Sequence, residues 1–435
     1  MTPKEKFKQL TNLDYNAASI IRLNSAYLNN IIMKRVLLAV TLLMIAFLSY
    51  AQKILTQEPK TGNEKNISVN TENLETYKFS DIVESVKILP LIIEDSVNIP
   101  EIFHIEKKDG IIIANGKQYQ NRFLFDEKGE FIASLCKVIG HDKDKRNNYS
   151  GNCQYTHLAC IDHYNKAIVM TDGDGGLLRT FSYSGESLTK NSYDVLDDQA
   201  ILSIKDGLVY ILNGYYTKME KANPGMNNRP TPKYNSTLVI LKGNKTIQSI
   251  PRFEWACPRE FTEASELSKE YLLHFNASDT IYSLNKKSAK VESKYIIDFG
   301  DKKYPDKLSE MSYNDWWPYR RTHQDQAGFV STFFSTNKNI YFSYWYNGMA
   351  CDFIYNTKNG NSINGSIDYD IFDDSDINLV GTTPESFLFV VSNPADLKLT
   401  ESGKQLMSSS DIEKFESIDS KTKYMILEVS LKEKF

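Results

Sequence analysis

From Tyr77 to the C-terminus, short apolar runs alternate with polar turns, and one arrangement keeps returning. A polar turn precedes an apolar run in KDGIII (108–113), YNKAIVM (164–170), KDGLVYIL (205–212), ASDTIYSL (277–284), TNKNIYFSY (336–344) and TPESFLFVV (383–391). Continuous apolar runs of this length, bounded by turn residues, predict strands buried on both faces. Half-exposed runs follow in most units: RFLFD, LLRTFSY, STLVILK, KYIIDF and CDFIYN. Another apolar run precedes each turn, as in EIFHIE, HLACID, AILSIK, YLLHFN, GFVSTFF and INLVGT. Helical periodicity is confined to Glu260–Leu273 and Ser408–Phe415.

Six such units, spaced irregularly by loops, predict an all-β chain folded as a six-bladed β-propeller with blades of about four antiparallel strands. A propeller must join its first and last blades or leave strand edges open. The run ESVKILPLI (84–92) and the terminal TKYMILEVSLK (422–432) are therefore expected to pair and close the ring. The outer hairpins of the first two units share one pattern, Phe125…Gly129-Glu130 and Phe181…Gly185-Glu186. There the Phe is an inward anchor, the Gly supplies a turn with positive φ, and the Glu opens an outer strand. The largest insertion, 214–234, is rich in Pro, Gly and Asn and is expected to be a surface excursion.

The N-terminal stretch reads differently. Met33-Lys34-Arg35, the apolar run Val36–Leu48 and the ending Ser49-Tyr50-Ala51 describe a secretory signal peptide over 33–51, cut after Ala51. A membrane anchor is the alternative, although the run is short for a span. No Cys stands at the cleavage point to take a lipid. Residues 1–32 read as an upstream extension ahead of a true start at Met33, residues 52–75 as a polar, flexible linker, and 76–435 as the propeller. Export to the periplasm or cell surface follows, with membrane contact only in transit.

Charge adds mainly exclusions. With 51 basic and 55 acidic residues, the chain has no basic stripe to suit nucleic acid. The cysteines Cys136, Cys153, Cys160, Cys257 and Cys351 are too few and scattered for a disulfide framework. Cys153 and Cys160 either pair across neighbouring strands or remain buried thiols. No nucleophile elbow, P-loop, HExxH or zinc spacing occurs.

The segments FSDIVESVKILPLI, FLFDEKGEFI, FIYNTKNGNSINGSIDYDIFDD and KYMILEVSLK resemble the exported six-bladed β-propeller family of unknown function common in Bacteroidota. The resemblance covers residues 77–435 and implies the fold and export rather than an activity. Members usually carry a Gly-Pro-rich turn before a Glu-Tyr pair, whereas this chain has VIGHDKDKRNNYSG at 138–151.

Candidate chemistry concentrates in a few places. Asp315-Trp316-Trp317-Pro318-Tyr319-Arg320-Arg321 and the nearby His323 put aromatic faces beside guanidinium groups. Aromatic faces suit sugar rings or peptide side chains and Arg suits carboxylates. With Trp345, at the end of a predicted inner strand, Trp316, Trp317, Tyr319, Arg320, Arg321 and His323 form the candidate ligand set; packing between blades is the alternative role. Two acidic stretches could hold Ca²⁺: Asp368, Asp370, Asp373, Asp374 and Asp376, or Asp172 and Asp174 in TDGDGG. Their alternatives are a solvated loop and a hairpin turn. His104, His157 and His274 fall in apolar strand patterns and are expected to be buried and hydrogen-bonded. Two functions fit. One is a monomeric binder of a glycan, peptide or protein through loops at one face of the channel, with no cofactor beyond a possible Ca²⁺. The other is a lyase or hydrolase with a channel-mouth site, calcium-assisted or not.

Overall fold

The computed structural model describes residues 33–34, 53–93, 97, 99, 101–116, 122–135, 159–172, 177–192, 198–212, 236–242, 245–251, 263–275, 278–305, 313–373 and 376–435. The chain divides into the units Met1–Ile54 and Leu55–Phe435, and the propeller is the second. Its strands begin with four N-terminal ones: β1 (Lys53–Thr56), β2 (Lys65–Ser68), β3 (Glu75–Lys78) and, after the single helical turn α1 (Phe79–Ile82), β4 (Val83–Leu91).

Blade 1 comprises β5 (Ile102–Lys108), β6 (Ile111–Gly116), β7 (Arg122–Asp126) and β8 (Phe131–Ser134). Blade 2 comprises β9 (Cys160–Asp162), β10 (Ala167–Asp172), β11 (Leu177–Phe181) and β12 (Ser187–Ser192). In blade 3 these are β13 (Asp198–Ile204), β14 (Gly207–Leu212), β15 (Ser236–Lys242) and β16 (Lys245–Pro251). In blade 4 they are β17 (Glu263–Glu266), β18 (Glu270–His274), β19 (Thr280–Asn285) and β20 (Val291–Asp298). Blade 5 holds β21 (Gly328–Ser335), β22 (Asn339–Tyr346), β23 (Met349–Asn356) and β24 (Ser362–Asp368), with α2 (Tyr313–Thr322) ahead of it. Blade 6 takes β25 (Ile377–Thr382), β26 (Phe387–Ser392) and, after α3 (Glu401–Leu406) and α4 (Ser409–Glu416), β27 (Tyr424–Leu431). Its outermost strand is β4, antiparallel to β27 from Tyr424↔Leu91 to Leu431↔Val83, so the ring closes by the expected pairing.

Each second strand is mostly apolar because both its faces are covered. In β6, Ile112 and Ala114 join Val380, Leu388 and Val390 of blade 6 in one core, while Ile111 and Ile113 join Ile168, Met170 and Phe181 of blade 2 in the next. The pleat sends neighbouring side chains to opposite faces, so one strand serves two inter-blade cores. The remaining gaps are filled likewise: Val169 with Tyr210 and Val239, Ile211 with Leu273, Leu272 with Phe342, and Tyr341 with Phe387. Burial lies between blades, which fixes their angular order.

Two sequence expectations are corrected. Residues 264–273 form the β17–β18 hairpin, not a helix; YLLH is buried on both faces and is the second strand of blade 4 rather than its first. Ser409–Glu416 is helical as expected, capped by the Ser408 hydroxyl on the Asp411 amide. The stretch 52–75, read as a flexible linker, instead forms a strap along the outer blade edges from Leu55 onward. The Gln57 amide donates to the Gln248 carbonyl of blade 3 at 2.9 Å, β2 pairs in parallel with β20, and β3 pairs in parallel with β24. Its polar composition misleads because most of the pairing is made by backbone groups, while Ile67 and Val69 sink into the core between blades 4 and 5. Contact is tight where β3 docks: a Cβ on Gly365 would stand 1.9 Å from the Glu75 carbonyl oxygen.

The glycines of the repeated hairpin motif have the expected role. Gly129 and Gly185 have φ of 84° and 82°, and added Cβ atoms would meet the Pro90 carbonyl oxygen at 2.2 Å and the Ala133 Cβ at 2.6 Å. Phe125 and Phe181 are fully buried. Glu130 does not begin a wholly open edge, since Ile92, just after β4, exchanges backbone hydrogen bonds with Gly129 and Phe131.

Candidate functional site

The two ends of the ring differ. At one end lie the turns joining first to second strands and third to fourth, all short: 109–110, 205–206, 267–269 and 336–338 are examples. From the other end leave the long connections 135–159, 213–235, 299–327 and 393–423.

The short-turn end carries a polar network across the centre. Lys108, last residue of β5 in blade 1, reaches Glu266, last residue of β17 in blade 4, at 2.6 Å. In a ring of six these blades face each other, so the pair crosses the channel. Lys286 joins the same Glu266 oxygen at 2.7 Å and donates to the Leu267 carbonyl. Burial opposes the Lys108 charge, but Glu266 more than compensates and raises its pKa. Beside them, one Glu106 carboxylate oxygen accepts the Ile161 amide of blade 2 at 3.0 Å. Burial, then the nearby charge of Glu266, push the Glu106 pKa up to about 8. The network continues through the Tyr271 hydroxyl to the Ser203 carbonyl and the Ser203 hydroxyl to Asp162, tying blades 4, 3 and 2. Farther out, Asp109 accepts from the Tyr183 hydroxyl and contacts His163 and Lys166, clamping blades 1 and 2. None of these roles is legible in sequence: Lys108 and Glu266 stand beside turns and read as solvated charges.

At the long-connection end, α2 lies between blades 4 and 5. The structure brings Tyr319, Arg320, His323 and Trp345 together. The Arg320 guanidinium lies over the Trp345 ring at 3.8 Å, and the Tyr319 ring stacks on His323 at 3.8 Å with 8° between planes. The Tyr319 hydroxyl donates to Gln326 at 2.9 Å, and the His323 Nδ1 stands 3.0 Å from the Tyr319 carbonyl. Arg321 is exposed on the same helix. Trp316 and Trp317 belong to α2 by backbone, and their side chains lie outside the described residues. Across the hairpin turn that follows Trp345, Met349 is 57% exposed.

The acidic candidates separate. Asp370 accepts from the Ser80 amide at 2.9 Å and hydroxyl at 2.6 Å, which holds α1 against blade 5. Asp368 closes β24 opposite Lys78, and the Asp373 amide donates to the Lys398 carbonyl. Asp376 accepts from the Asn378 side chain at 3.3 Å. Asp374 and Asp174 lie outside the described residues, and Asp172 ends β10 in register with Leu177. Among the described residues no three His, Cys, Asp or Glu are grouped to hold a metal ion. Of the histidines, His104 bonds Asn115 and His274 approaches the Ser278 carbonyl at 2.9 Å. Burial lowers both to about 4, so they are neutral structural groups; His157 lies outside the described residues. Cys160 is a buried free thiol, and Cys153 lies outside the described residues.

No curated protein matches the chain. It is similar in fold to a crystal structure from Bacteroides fragilis NCTC 9343, a protein named for its predicted export, at 12% identity and TM-score 0.57, covering 87% of this chain and all of that one. A member of the DUF4221 family from Bacteroides vulgatus ATCC 8482 aligns at 8% identity and TM-score 0.41, over 80% of this chain and 97% of that one. Among the described residues no helix is long and apolar enough to cross a membrane. Residues 64–423 match the family described as a domain of unknown function, DUF4934, and the chain belongs to that family.

Proposed function

We propose that this protein is an exported binding propeller that takes a ligand or partner at the end carrying its long connections. The Lys108–Glu266 pair carries this assignment: it spans the channel between opposite blades and occupies it with an internal ion pair at the short-turn end. Loops of variable length on a rigid scaffold are where recognition usually resides. The Arg320–Trp345 stack supplies chemistry of the right kind, an aromatic face beside a guanidinium. A glycan or peptide bearing a carboxylate is the ligand class these groups suit. Export accords with the similarity to the Bacteroides fragilis protein and with the signal-peptide pattern of residues 33–51.

The test is a thermal-shift and tryptophan-fluorescence screen against acidic oligosaccharides, neutral oligosaccharides, short peptides and Ca²⁺. A binder of the folded state raises the melting temperature. The expected hit is lost in Trp345→Ala and Arg320→Ala. A hit untouched by both substitutions would move the site elsewhere.

A further inference from the structure

A cavity of about 380 Å³ opens at the short-turn end between blades 4 and 5, away from the face assigned above. Its volume falls within the range of small-molecule pockets. One wall belongs to blade 4, where Glu270 and Lys294 form an ion pair and Lys269 projects from the β17–β18 turn. The other belongs to the turns of blade 5, with Thr336, Asn337 and Thr357. Leu272 and Tyr295 supply apolar surface.

The walls are held in place by contacts within the protein. The Asn337 side chain donates to the Ser268 hydroxyl at 2.8 Å and to Glu385 at 2.7 Å, and its carbonyl accepts from the Ser268 amide. These bonds lock turns of blades 4, 5 and 6 together. The Thr357 hydroxyl and amide both donate to the Lys338 carbonyl, at 2.9 and 2.8 Å. The cleft is thus pre-organised, which lowers the ordering cost of binding.

Its chemistry has a definite sense. Two ammonium groups face one carboxylate, and Lys269 has no ion-pair partner among the described residues. Around this surplus positive charge stand the Ser268 and Thr357 hydroxyls, over a short apolar floor, while the buried Thr336 hydroxyl accepts the Lys338 and Asn339 amides and holds its own turn. We propose that the cleft between blades 4 and 5 binds a monosaccharide-sized sugar acid, with its carboxylate on Lys269 and Lys294 and its hydroxyls on Glu270, Ser268 and Thr357. This site is independent of the long-connection face.

The experiment is saturation-transfer NMR and calorimetry with sodium D-glucuronate and D-galacturonate, using glucose and acetate as controls. One of the two uronates is expected to bind with a dissociation constant of about 1 mM or tighter, about tenfold better than glucose or acetate. Lys269→Ala and the charge-balanced Glu270→Gln/Lys294→Gln are each expected to weaken it about tenfold, with melting curves showing both variants folded. Trp345→Ala should leave it unchanged. Absence of uronate binding, equal binding of acetate or glucose, or an affinity insensitive to both variants would each overturn the assignment.

Discussion

Replacing Glu106 by Gln should make the propeller more stable at alkaline pH and leave it nearly unchanged at acid pH. In the folded chain the carboxyl titrates near pH 8, chiefly from burial and then from Glu266. Unfolded, it titrates near the ordinary value of a glutamate, 4.5. Below pH 4.5 both states hold the proton and no penalty arises. Between 4.5 and about 8 only the unfolded state loses it, so stability falls as pH rises, by up to about 1.4 kcal/mol per unit. Above 8 the penalty is complete. The side chain still borders the channel, and water there screens part of the effect, so we expect a total on the order of 2–3 kcal/mol. Gln cannot ionise and keeps an oxygen for the Ile161 amide, so the variant escapes the penalty. Denaturant midpoints of wild type and Glu106→Gln at pH 5 and pH 9 provide the assay. The variant's advantage should be about 0.5 kcal/mol at pH 5 and about 2–3 kcal/mol at pH 9. An advantage that is equal at both pH values, or larger at pH 5, would refute the reasoning.

Breaking the cross-channel pair with Lys108→Met should cost about 1–3 kcal/mol, less than a fully buried pair because Lys286 still neutralises Glu266; urea denaturation reads it. Gly129→Ala and Gly185→Ala should each destabilise the fold, because both glycines have positive φ and the added methyls would stand 2.2 Å from the Pro90 carbonyl oxygen and 2.6 Å from the Ala133 Cβ, which moves only with its backbone; calorimetric melting should read about 2 kcal/mol or more for each. Deleting residues 53–68 should bare the outer edges of β16 and β20, seen as faster proteolysis within blades 3 and 4 and concentration-dependent association in sedimentation.

Blade number, ring closure and the outer hairpins were legible because each leaves a local trace: a run buried on both faces, a terminal strand, a glycine where the chain turns with positive φ. The strap was not, since its pairing runs mainly through backbone groups and its buried apolar residues, Ile67 and Val69, stand alone among polar neighbours. Blade 4 was read one strand out of step because β17 (EASE) carries no apolar run; its Glu266 belongs to the channel network instead. The aromatic–guanidinium cluster was legible in part: sequence proximity joined Tyr319, Arg320 and His323, and strand position added Trp345. The acidic stretch was harder to read. Asp370 is occupied by α1, a partner 290 residues away that no local pattern displays. A separation of 158 residues likewise hid Lys108 and Glu266 from each other.

The most direct test of the central claim is a hydrogen-exchange footprint of the first oligosaccharide or peptide that raises the melting temperature in the screen. Protection is predicted at the β22–β23 turn after Trp345 and in α2, with the turns at 109–110 and 205–206 unchanged. Protection confined to those short turns would place binding at the closed end and contradict the account.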